Sequence, residues 1–231
     1  MSGGVLGARL LSAAGFVRQG AVFADVGTDH AYLPIFLLEC GRVLRAVCSD
    51  INSGPLESAR QNIEAAGLSD RCELVLSDGA AALSDKGITD YAICGMGGEL
   101  IAEIIDAAPA LHKEGVNLIL QPMTRPRALR KYLCENGFEI LSEAYSEEGA
   151  KHYVCINARY TGAARMISDV EAEIGLKEAE IVNKDVQKRY LSEKKRSLLR
   201  TIEGKTRGGE DADYERAACA EIERILKQIE E

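Results

Sequence analysis

No stretch of this 231-residue sequence approaches the roughly 20 consecutive apolar residues that a membrane span requires. The opening stretch, Met1 to Arg18, is too broken by Gly3, Gly4, Gly7 and Arg9 to serve as the apolar centre of a secretion signal. A cytoplasmic chain with no membrane partner is expected. Clustered metal ligands are missing too. The seven cysteines are dispersed with no CxxC pair, and the three histidines are scattered, so no metal site is expected and the cysteines read as buried reduced thiols. An excess of positive charge is also lacking. The formal net charge of -8 excludes a protein that coats nucleic acid indiscriminately, although it leaves room for a local basic face.

What is present is an ordinary globular composition, 46% hydrophobic and 28% charged, in a chain long enough for one well-buried domain plus an appendage. After a leading helix over Val5–Phe16, short apolar runs alternate with helical segments. Strands are expected at Ala21–Val26, Arg45–Asp50, Glu73–Asp78, Tyr91–Cys94 and Asn117–Gln121. The intervening helices are Ala31–Glu39, Pro55–Ala66, Glu99–Ala107 and Arg127–Glu135. Strands apolar on both faces and alternating with helices specify an α/β protein with a mostly parallel sheet. Phe138–Tyr145 and His152–Tyr160 are too close for a crossover helix, which predicts a closing antiparallel hairpin.

Beyond Gly162 the pattern turns helical. Ile167–Ile202 reads as helix, Glu203–Asp211 as a glycine-rich loop and Tyr214–Ile229 as a second helix, together an antiparallel, coiled-coil-like arm. The expected division is therefore residues 1–162 as the catalytic body and 163–231 as the arm. The arm is locally basic: from Lys184 to Arg207 there are nine basic residues against three acidic ones.

Ligands of open α/β sheets bind at the carboxyl ends of the strands. The first strand there delivers Asp25-Val-Gly27-Thr-Asp29-His30, the second Asp50-Ile51, the third Asp78-Gly79 and the fourth Gly95-Met96-Gly97. Gly27 permits a tight turn, but no GxGxxG follows, and Asp29 would repel a pyrophosphate. A sulfonium and an amino group tolerate that carboxylate. The set Asp25, Gly27, Asp29, His30, Asp50, Ile51, Asp78, Gly79, Gly95, Met96 and Gly97 thus fits S-adenosylmethionine better than a nicotinamide dinucleotide. Asp50 is placed to accept from ribose hydroxyls and Asp78 from an adenine amino group.

Taken together, Ala24-Asp-Val-Gly-Thr-Asp-His-Ala-Tyr-Leu-Pro, Ser49-Asp-Ile-Asn-Ser-Gly-Pro-Leu, Cys94-Gly-Met-Gly-Gly and Leu120-Gln-Pro-Met resemble the bacterial tRNA methyltransferases that modify N1 of adenine 22. The resemblance runs from the leading helix through the hairpin. It implies a Rossmann-like class I methyltransferase fold, S-adenosylmethionine as cofactor and tRNA as partner. No obligate protein partner is evident in the sequence, and a monomer is expected.

Candidate catalytic residues are then Asp29, which would stabilise charge developing on the base, His30, and Gln121 at the fifth strand end. Tyr32 would stack on a flipped base, although a lone tyrosine there also reads as packing. RNA contacts are expected from Arg125, Arg127, Arg130 and Lys131 beside that strand, and from Lys188, Arg189, Lys194, Lys195 and Arg196 on the arm. A class I methyltransferase for another RNA or a small molecule stays open, as does a non-catalytic RNA-binding protein with a nucleoside pocket.

Overall fold

A computed structural model describes residues 6–177 and 179–230. Its centre is one eight-stranded sheet in the order β3-β2-β1-β4-β5-β7-β6-β8. The first five strands are β1 (Ala21–Val26), β2 (Val43–Asp50), β3 (Cys72–Leu76), β4 (Asp90–Gly97) and β5 (Asn117–Thr124), all mutually parallel. Helices α2 (Tyr32–Glu39), α3 (Ser53–Ala65), α4 (Gly98–Asp106) and α5 (Pro126–Glu135) follow β1, β2, β4 and β5. The hairpin of β6 (Phe138–Glu148) and β7 (Lys151–Tyr160) closes the sheet, β7 running antiparallel to both β5 and β6. Helix α1 (Ala8–Phe16) precedes β1; Val5, the expected first residue of that helix, lies outside the described residues.

The alternation along β1 explains the two cores. Phe23 packs with α1, α2 and α3, through residues such as Ala13, Leu37 and Ile63. Ala24 and Val26 face the other layer, with Ile101 of α4 and Leu129 of α5. Both faces of the strand are apolar because both are covered.

Past residue 162 the structure departs from the expected uninterrupted helix. After α6 (Asp169–Ile174) comes a three-residue strand, β8 (Glu180–Val182), paired in parallel with β6. The sheet therefore continues across the expected domain division. Helix α7 (Lys184–Gly208) then extends through the first part of the segment expected to loop, Glu203–Gly208, and the turn is confined to the residues from Gly209 to the start of the next helix. Two glycines inside a helix cost about 1 kcal/mol each relative to alanine. Packing against α8 (Asp213–Glu230) offsets this, through buried Ala218 and Ile222 and a Lys205–Glu215 ion pair at 2.7 Å. The stop comes at Gly209, in the left-handed region at φ 73° with its N–H on the Lys205 and Thr206 carbonyls.

Candidate active site

The parallel strands end on one rim, where the expected cofactor residues meet. Gly27 adopts φ 77°, and its N–H and that of Thr28 donate to the Ser49 carbonyl at 2.8 and 2.9 Å, tying the β1 turn to β2. Asp25 is buried beneath this turn and accepts a 2.6 Å hydrogen bond from the Thr28 hydroxyl. Burial lifts its pKa from 3.8 to about 6, the Thr28 bond works against that rise, and the charge of Asp50 adds to it. Asp50 accepts from the Asn52 N–H at 2.8 Å, and its own carbonyl receives the Ser77 N–H at 2.9 Å, so the ends of β2 and β3 are joined. Ile51 and Asp78 are exposed on the rim, and Gly79 turns at φ 55°.

Opposite the β1 turn stands Gly95-Met96-Gly97. A Cβ on Gly27 would collide with the Met96 methyl, so the two turns face each other across a narrow space. Gly95 sits at φ 82° and donates its N–H to Gln121 Oε1 at 3.1 Å. Gly98, which begins α4, has no room for a side chain against the Arg125 carbonyl. Ala31 and Arg125 are non-glycine residues in the left-handed region, at φ 56° and 55°. Both start helices at this rim, α2 and α5, where backbone strain is held by the surrounding packing.

Asp29 and His30 lie at the mouth. Asp29 is 75% exposed, with His30 Nε2 3.3 Å from its carboxylate. The His30 ring stacks on Tyr32 at 5.1 Å and 25°, and Tyr32 is half exposed. An exposed carboxylate thus stands beside an exposed aromatic face.

Two expected residues are placed differently. Gln121, expected to meet a base, is fully buried, and its amide is committed. It accepts from Arg9 Nη1 at 2.6 Å and from Gly95 N–H, and donates to the Pro122 carbonyl at 3.0 Å. It braces the β4 and β5 ends instead of facing a base. Arg130, expected on an RNA-binding surface, has no exposure. Its guanidinium bonds both Glu143 oxygens, at 2.6 and 3.0 Å, and the Ala172 carbonyl at 2.9 Å, which joins α5, β6 and α6. Arg130 shares the buried face of α5 with Leu129, Leu133 and Cys134, where a guanidinium must be paired, so it cannot reach RNA.

The other basic candidates are on the surface, mostly in ion pairs: Arg125 with Glu99, Arg127 and Lys131 with Asp169, Arg189 with Glu147, Lys194 with Glu173, and Lys195 with Glu223. Arg127 also lies 4.6 Å over the Tyr214 ring. Lys188 is half-buried on α7. Arg196 is exposed and, with Arg200, has no ion-pair partner among the described residues. No metal-ligand cluster occurs among the described residues, and no helix there is long and apolar enough to cross a membrane.

Residues 6–156 match the family described as a methyltransferase domain. A tRNA (adenine(22)-N(1))-methyltransferase of Bacillus subtilis is 33% identical over 148 residues, 64% of this chain and 62% of that protein. A candidate tRNA (m1A22) methyltransferase of Streptococcus pneumoniae, solved in complex with S-adenosyl-L-methionine, superposes with TM-score 0.78 and 32% identity over 94% of this chain and 98% of its own. The chain belongs to the tRNA (m1A22) methyltransferase family. Mycoplasma capricolum TrmK, solved with S-adenosyl-homocysteine, superposes with TM-score 0.73 and 26% identity over 98% of this chain and 97% of its own. The match to the curated B. subtilis protein thus spans under two thirds of that protein's length, whereas the solved structures are covered almost end to end, arm included.

One residue of the rim was not anticipated. Arg9, in the first turn of α1, reaches Gln121 across 112 positions of sequence. In the sequence it stands out only as a charge that interrupts an apolar pattern. Its backbone N–H is held by Glu148 Oε1 at 3.0 Å, which fixes the start of α1 to the end of β6.

Proposed function

We propose that this chain transfers a methyl group from S-adenosylmethionine to N1 of adenine 22 in tRNA. One observation carries the reading. Carboxylates stand at three successive strand ends, Asp25, Asp50 and Asp78, around a single-glycine turn that faces Gly95-Met96-Gly97. The donor set fits the cofactor. Asp50 accepts from ribose hydroxyls, Asp78 from the adenine amino group, and the left-handed turn at Gly27 lets backbone approach closely. Four acidic side chains, Asp29 included, suit a ligand carrying a sulfonium and an ammonium but disfavour a pyrophosphate. S-adenosylmethionine supplies the electrophilic methyl group when bound.

The chain's own contribution is positioning and electrostatics. N1 of adenine attacks with an in-plane lone pair, so no proton must be removed first. Methylation leaves positive charge on the purine, and the exposed Asp29 carboxylate at the mouth would stabilise it. His30, beside Asp29, would take a proton afterwards from the acidified amino group. The stacked His30–Tyr32 pair offers a face for a base turned out of its helix, since N1 lies on the pairing edge. Residues 163–231 would grip the tRNA through the arm, with Arg196 contributing a phosphate contact. Monomeric action in the cytoplasm belongs to the same reading: pocket and arm come from one chain, and light scattering with and without tRNA tests it.

The deciding assay incubates the full chain with methyl-labelled S-adenosylmethionine and unmodified tRNA, then identifies the labelled nucleoside. N1-methyladenosine at position 22 is expected, and its loss from tRNA in which position 22 is guanosine. Label in a small molecule or a different nucleoside would move the assignment to another acceptor.

A further inference from the structure

We propose that Arg9 is the receptor for the α-carboxylate of the cofactor, a role that rests on the S-adenosylmethionine reading above and extends it to a residue outside the strand-end motifs. The argument begins with what the rim lacks. Asp25, Asp29, Asp50 and Asp78 match the two cationic centres, the ribose hydroxyls and the adenine amine of such a ligand. They repel its one anionic group. An amino-acid carboxylate brought to the space between the Gly27 and Gly95 turns needs a fixed positive charge nearby.

Arg9 supplies one. Its Nη1 donates to Gln121 Oε1 at 2.6 Å and lies 3.8 Å from the position of a Cβ on Gly95, so the guanidinium stands at the β4 edge of the pocket. The surrounding bonds hold it there. Gln121 is itself clamped by the Gly95 N–H and the Pro122 carbonyl, and the Arg9 backbone is pinned by Glu148. Glu148 bonds the Arg9 backbone N–H through Oε1, and the Arg9 guanidinium forms no ion pair among the described residues. Arg18, Arg125, Arg127, Arg130, Arg159 and Arg189 contrast with this, each neutralised by a carboxylate. Half-buried, immobilised and uncompensated, the Arg9 guanidinium keeps Nε and Nη2 for an anion and can present the planar fork that suits a carboxylate.

Isothermal titration of the full chain with S-adenosyl-homocysteine and with 5′-methylthioadenosine tests this, because the second ligand keeps the nucleoside and thioether but lacks the amino acid. Arg9→Gln should lose about 10- to 100-fold in affinity for S-adenosyl-homocysteine, the range for a hydrogen-bonded charge, and nothing for 5′-methylthioadenosine. Arg9→Lys should recover part of the loss, and unchanged 5′-methylthioadenosine binding in both variants shows that the pocket is intact. Equal losses for both ligands would overturn the proposal, making Arg9 a brace for the rim. So would wild-type affinity for S-adenosyl-homocysteine with weakened tRNA binding, which would assign the guanidinium to an RNA phosphate. A wild type that binds 5′-methylthioadenosine but not S-adenosyl-homocysteine would sink the carboxylate receptor alone; one that binds neither would sink the cofactor reading and this inference with it.

Discussion

Asp25 holds a charge that the folded chain disfavours, and removing that charge should stabilise the protein in a pH-dependent way. Its pKa rises from 3.8 to about 6 on folding because burial strips the carboxylate of water. Between those values the folded state binds more protons than the unfolded one, so this group makes stability fall as pH rises through the window. Integrating the two titrations gives a penalty of about 1.6 kcal/mol at pH 5 and about 3 kcal/mol at pH 7.5. Asp25→Asn removes the titration and keeps an oxygen that accepts from the Thr28 hydroxyl. The variant's stability relative to wild type should therefore improve by about 1.4 kcal/mol between pH 5 and pH 7.5. Urea denaturation of both proteins at the two pH values measures this, and other titrating groups cancel in the difference. A constant difference across that interval would refute the reasoning, because Asp25 would then ionise alike in both states. The same substitution should weaken S-adenosyl-homocysteine binding, which would tie the stored penalty to the site.

Three further outcomes are expected. Glu143→Gln should destabilise the chain by about 3–5 kcal/mol by leaving the Arg130 guanidinium buried without its counter-charge, whereas the paired change Arg130→Met with Glu143→Leu should recover much of that loss in thermal and urea melts. Asp50→Ala should leave the circular dichroism spectrum unchanged while lowering S-adenosyl-homocysteine affinity about tenfold or more; unchanged affinity would remove the ribose from β2. Replacing Arg196 and Arg200 together by glutamate should weaken tRNA binding and flatten its dependence on log salt by about two, with cofactor affinity intact. An unchanged salt slope would take this part of α7 out of the RNA contact.

The body of the fold was legible because β1 to β5 carry their signal locally, in apolar runs buried on both faces and punctuated by glycine turns. The acidic strand ends were legible for the same reason: once the strands are placed, Asp50 at the end of β2, Asp25 one residue before the end of β1 and Asp78 two beyond the end of β3 are placed too. What escaped depends on distant partners. Ile181 and Val182 fit a helical stripe as well as a strand, and only the free edge of β6 decides between them. The glycines of Glu203–Gly208 signal a loop by themselves, and it is packing against α8 that keeps them helical. Gln121 and Arg130 have side chains that suit a base or a phosphate, but Arg9, Gly95 and Glu143, from 13 to 112 positions away, draw them inward. Residue type alone does not reveal that competition.

The buried pair also bears on how far the arm can move. Arg130, paired with Glu143, donates to the Ala172 carbonyl, Tyr145 donates to Glu143 at 2.7 Å, and the Tyr145 ring packs 5.0 Å from that of Tyr190 on α7. Nearby, His152 of β7 stands between Glu147 of β6 and Glu193 of α7, at 2.7 and 2.5 Å, and Lys194 meets Glu173. These contacts clamp the first half of α7 to β6, β7 and α6. Arg196 and Arg200 lie just beyond the clamp, so their offset from the cofactor rim is set by buried structure and not by a linker. If the arm contacts RNA as proposed, an arm fixed in this way would select RNA whose phosphates match that offset. Glu143→Gln should therefore loosen this selection at temperatures where the chain is still folded, seen as a smaller difference in affinity between tRNA and an unstructured RNA of equal length. Retention of the full difference in a folded Glu143→Gln protein would show that the clamp serves stability alone.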